Sequence, residues 1–74
     1  MLVVIIYNTD FKSHAISLKE EVKREWEDAH INMIGVNDHI GGARYQVQLG
    51  TSVVSRSNSP IDNTTIIDLI KERV

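Results

Sequence analysis

Asn8, Thr9 and Asp10 form a short polar run, and His14 follows Asp10 by four residues. On a helix that spacing puts both side chains on one face of the first turn. Amides at a helix start attract anions and hydrogen-bonding ligands, and α/β folds tend to bind molecules there. Asn8, Thr9, Asp10 and His14 are therefore candidate partner- or ligand-binding residues, and His39 joins them if its loop folds back over the group. A helix cap and turn accounts for the same run, and the charge of Asp10 opposes an anion there. His14, His30 and His39, with Asp10 and Asp38, are the only material for a metal site. Their spacing lacks a zinc-ligand signature, so the histidines read as solvated and no metal is assigned.

Other chemistry is harder to place. Ser52, Ser55, Ser57 and Ser59 cluster around Arg56, but none lies in a Gly-x-Ser-x-Gly elbow. No histidine–acid pair is placed by sequence to activate a serine, so the stretch reads as surface strand and linker, with no catalytic residue. Gly41 and Gly42 follow Asp38 without the Lys-Ser or Lys-Thr of a phosphate loop, and no cofactor is implied. The chain has no cysteine, so it is not a thiol–disulfide oxidoreductase and no disulfide staples it. A cysteine-free chain suits a reducing compartment, and cytoplasmic residence is expected. The net charge of −2 arises from eight basic and ten acidic residues that are interspersed. There is no basic stripe, so nucleic acid is not expected as a partner. The apolar run Val3–Ile6 is too short to span a bilayer, and no signal peptide is visible, so no membrane partner is expected.

The elements that would position these residues follow from periodicity. The continuous β-branched run at 2–7 reads as a central strand covered on both faces. Phe11, Ala15, Leu18, Val22 and Trp26 recur at helical spacing, with Ile16 widening the face and Asp10 as the N-cap candidate. Residues 31–36 read as a second strand, and 37–42 as a loop. From Ala43 to Leu49, Ala43, Tyr45, Val47 and Leu49 alternate with Arg44, Gln46 and Gln48. Gly50-Thr51 is a turn into a returning arm at Ser52–Ser55. A last helix begins either with Ser59 as cap and Pro60 at its first position, or with Asp62 as cap. Ile66, Ile67, Ile70 and Val74 are its buried side, with Leu69 beside them.

The order is β-α-β-β-β-α in one domain spanning residues 1–74. A right-handed crossover makes the first two strands parallel, and the hairpin adds antiparallel strands. The expected fold class is α/β: a minimal thioredoxin-like two-layer sandwich with a four-stranded mixed sheet and two helices. A ferredoxin-like split is the competitor, but it would want a further strand after the last helix.

Val3 to Tyr7, Phe11-Lys12-Ser13 with Leu18, Val22 and Trp26, and Tyr45 to Gly50 followed by Val53-Val54-Ser55 together resemble the selenoprotein W group, which includes selenoproteins T and H. That family has a thioredoxin-like fold with a Cys-x-x-Cys or Cys-x-x-selenocysteine loop after its first strand. Here Asn8-Thr9-Asp10 stands in that place, both redox positions are absent and the loop is about two residues shorter. The family also tends to place a proline before its third strand, close to the redox pair, and His39 stands near that position. The resemblance implies the fold but not the redox activity.

The function expected from these readings is a redox-inactive thioredoxin-like adaptor or regulator that binds another protein. The patch Asn8–Asp10, His14 and His39 is its first contact surface, and the Ser52–Ser55 arm is a second, open to strand addition or self-association. The alternative is a small-ligand binder or enzyme that uses the same loop with His14 or His39 as an acid–base group.

Overall fold

The structure is a computed structural model and describes residues 1–38 and 42–74. The strands are β1 (Leu2–Asn8), β2 (His30–Val36), β3 (Tyr45–Leu49) and β4 (Ser52–Ser57), and the helices are α1 (Lys12–Glu25) and α2 (Asn63–Lys71). The element order is the expected one. The four strands form one mixed sheet in the order β2-β1-β3-β4, so β1 is central and β2 and β4 are the edges.

β1 pairs in parallel with β2 and antiparallel with β3. The pairing puts Val3, Ile5 and Tyr7 in line with Ile31, Met33 and Gly35 on one side, and with Leu49, Val47 and Tyr45 on the other. Val3, Ile5, Tyr45 and Val47 are fully buried on this face. Ala15, Leu18 and Val22 of α1 and Ile66, Ile67 and Ile70 of α2 join them in a single core. Both helices therefore cover the same face.

Gly35 belongs to this layer for a packing reason. A Cβ at that position would lie 3.2 Å from the ring and hydroxyl of Tyr7, so the ring occupies the space a side chain would need. Leaving α1, the chain turns at Trp26, and Lys23 Nζ donates to the carbonyl oxygens of Ala29 (2.8 Å) and Glu27 (3.2 Å). These bonds hold the connection that delivers β2 alongside β1.

Several local expectations are corrected. Both helices pack on the side of Val3, Ile5 and Tyr7, so among the described residues no helix covers the other face of β1, and Val4 and Ile6 are half-buried. Ile16 is 40% exposed, since the buried stripe of α1 is just Ala15, Leu18 and Val22. β4 runs on through Arg56 and Ser57, which pair with Gln46 and Tyr45, and a bulge after Val53 turns Val54 into the core. Of the two starts left open for the last helix, α2 takes Asp62 at its N-cap position, without a side-chain cap bond, so Ser59 and Pro60 lie outside it; its end at Lys71 leaves Val74 exposed. The expected loop 37–42 lies partly outside the described residues.

Candidate functional site

The polar run after β1 is organised by Asn8. Its side chain is buried, and its Oδ1 accepts the Asp10 N–H at 3.0 Å, capping a single 3-10 turn over Thr9–Phe11. Its backbone N–H donates to the Arg44 carbonyl at 2.8 Å. Asp10 is thus not the N-cap of the long helix, as its position had implied. The extra 3-10 turn shifts that role to Phe11, which makes no side-chain cap bond, and Asp10 points to Arg44 instead.

The Arg44–Asp10 contact is 3.2 Å, with the Asp10 side chain 74% exposed. A pair so wet contributes about 0–1 kcal/mol. Arg44 also lies over Phe11, with its guanidinium carbon 5.1 Å from the ring centroid. Phe11 meets His14 and Tyr45 edge-on, at centroid distances of 6.4 and 6.5 Å. Thr9 Oγ1 donates to Asn37 Oδ1 at 3.0 Å, tying the turn to the segment that follows β2.

The structure therefore brings Asn8, Thr9, Asp10 and His14 to one end of the sheet. His39 lies outside the described residues. Arg44, Asn37 and Tyr45 complete the cluster and were not singled out from sequence. Arg44 had been placed opposite Tyr45 by the alternation of its strand, but its contact with Asp10, 34 positions earlier, is long-range.

Tyr45 is the unusual member. It is fully buried, and its hydroxyl has no hydrogen-bond partner among the described residues. Burial alone pushes its pKa up to about 12, because the phenolate would lose its hydration.

Chemically the cluster is quiet. Among the described residues no group of three or more histidine, cysteine or acidic side chains could hold a metal ion. His14 lines an open cleft of about 300 Å³ with Pro60, Ile61, Asp62 and Asn63. A second cleft, about 240 Å³, lies between the helices beside the Lys71–Glu25 ion pair (3.5 Å). Thr64 lines the second cleft, and no hydrogen bond among the described residues joins its hydroxyl to an acid or a base.

A different surface lies on the uncovered side of the sheet. The register lines up Ile34, Ile6, Gln46 and Arg56 across all four strands, and Asn32, Val4, Gln48 and Val53 in the next row. Ile34 is 46% and Val53 38% exposed, while Leu2 at the start of β1 is 39% exposed. No helix among the described residues is long and apolar enough to cross a membrane. Compared with known proteins, the chain matches no family model, no curated sequence and no solved structure.

Proposed function

We propose that this protein is a redox-inactive, thioredoxin-like adaptor that works by docking another protein, with the uncovered sheet face as its principal contact surface. The observation that carries this reading is the apolar outer side of the parallel pair β1–β2. Parallel strands are ordinarily covered on both faces, yet among the described residues both helices pack on the other side, leaving Ile34 exposed and Val4 and Ile6 half-buried. The Asn8–Asp10 cluster borders this face, since Asn8 pairs with Val36 at the end of the same two strands. It supplies a rim of hydrogen-bonding groups beside an apolar centre, the usual anatomy of a protein interface. The absence of cysteine rules out thiol chemistry at the place where the selenoprotein W-like family has its redox pair. A cysteine-free adaptor suits the reducing cytoplasm, the location proposed here.

The test is a tagged pull-down from the source cell's lysate with three baits: wild type, Ile34→Lys and Asp10→Lys. Loss of a partner with Ile34→Lys, and its retention or partial loss with Asp10→Lys, supports docking on the sheet face. A partner lost only with Asp10→Lys moves the contact to the loop. Identical capture by all three baits removes both surfaces.

A further inference from the structure

The uncovered face has a charge pattern of its own. All ten acidic residues of the chain lie in the 3-10 turn, the helices and the connections, and none lies in a strand. Among the described residues, Arg56 is the only lysine or arginine in a strand. Its Nε donates to Gln46 Oε1 at 2.9 Å, and Gln46 Nε2 donates to Gln48 Oε1 at 2.9 Å. Gln46 is 5% exposed, so this relay is anchored in the sheet rather than waving in solvent. The relay occupies the Nε edge of the guanidinium. Its outer nitrogens make no hydrogen bond or ion pair among the described residues, although the side chain is exposed. A guanidinium held this way is set to receive a carboxylate on its free edge.

Resting on the adaptor reading, we propose that the partner docked on this face is an amphipathic helix whose apolar stripe covers Val4, Ile6 and Ile34 and whose acidic residue pairs with Arg56. An apolar sheet face is buried by adding a layer, and a helix laid across the strands, along the Ile34–Ile6–Gln46–Arg56 row, does so. Arg56 stands two strands from Ile6 in the same cross-strand row. With strands about 4.8 Å apart, that separation is about 10 Å. Along a helix lying over the row it corresponds to about seven residues, or two turns. The acidic side chain is thus placed about seven residues from the apolar one that sits over Ile6. A second copy of this chain is the poorer occupant. Face-to-face pairing would bury Arg56 against a sheet with no carboxylate, and an unpaired buried charge is costly.

The test uses a synthetic helix-forming peptide of about 15 residues, long enough for partial helicity in water. It carries a leucine stripe with a glutamate two turns from the central leucine, and its twin carries lysine there. Binding to the full chain is read by fluorescence anisotropy for wild type, Arg56→Glu and Ile34→Lys. The glutamate peptide binds wild type about tenfold more tightly than the lysine twin, as a partly desolvated charge pair would give. Arg56→Glu inverts that preference, a gain that a misfolded variant could not produce. Ile34→Lys weakens both peptides. Equal binding of the twins to wild type, lost in Ile34→Lys, overturns the acidic specificity while leaving the docking face standing. Binding that ignores Ile34→Lys removes the face itself. Failure of both peptides to bind, or a dimer by sedimentation velocity that Ile34→Lys dissolves, also overturns the proposal, and the dimer would identify a second copy as the occupant.

Discussion

Replacing Tyr45 with phenylalanine removes one atom from the core and tests whether its hydroxyl is truly without a partner. The side chain is fully buried and the oxygen has no partner among the described residues. A buried hydroxyl with no hydrogen bond costs about 1–3 kcal/mol relative to an apolar replacement. Against this stands the loss of a few dispersion contacts, each about 0.1–0.2 kcal/mol. The net expectation for Tyr45→Phe is a gain of about 1 kcal/mol, or about 4–8 °C in Tm for a domain this small. The same substitution changes the alkaline limb. The folded-state pKa of about 12 lies above the ordinary tyrosine value of 10.0, so the unfolded chain releases this proton first. Stability is therefore intact below about pH 10 and falls as pH rises toward 12, by about 1.4 kcal/mol per pH unit at most. Phenylalanine abolishes that component, and the difference between the two proteins isolates it from other alkaline titrations. Urea unfolding, followed by fluorescence of the single tryptophan, Trp26, measures both quantities between neutral pH and pH 12. A loss of about 1 kcal/mol or more at neutral pH would refute the reasoning, because it would mean that the hydroxyl has a partner in solution.

The remaining predictions concern the turn, the sheet and its two faces. Asn8→Ala costs about 1 kcal/mol, because the cap on the 3-10 turn is lost, while Asp10→Ala changes stability by less; denaturant midpoints that reverse this order would reassign the cap. Removing the Asp10 charge with Asp10→Asn shifts stability by about 0–1 kcal/mol, and the wild-type advantage fades in high salt. Gly35→Ala pushes a methyl against the Tyr7 ring and costs about 1–3 kcal/mol, measured by thermal melting; a neutral result would show that the ring has room to yield. Ile34→Lys leaves stability within about 0.5 kcal/mol, whereas Ile5→Ala costs about 2–5 kcal/mol, since only the second residue faces the helices.

Much of the fold was legible from local signals. The run at 2–7, the helical spacing of Ala15, Leu18 and Val22, and the Gly50 turn each carry their own periodicity or conformational mark, Gly50 having φ of 61°. Those patterns determined the element order, and the crossover rule together with the hairpin determined a mixed sheet. The polar run at Asn8–Asp10 was legible as a turn for the same reason, because short polar side chains cap backbone over two or three residues.

What the tertiary structure alone decided is which surfaces meet. A continuous apolar run cannot say whether one or two layers cover it, and here both helices lie on one side, leaving Val4 and Ile6 at the surface. The choice of Asn8 over Asp10 as cap depended on Arg44 arriving from the segment that leads into β3. The row Ile34–Ile6–Gln46–Arg56 exists only through the registers of three strand pairings, one of them bulged. Sequence determined the elements because their signals act between near neighbours, whereas the faces were decided by contacts between residues far apart in the chain, whose pairing no local pattern encodes.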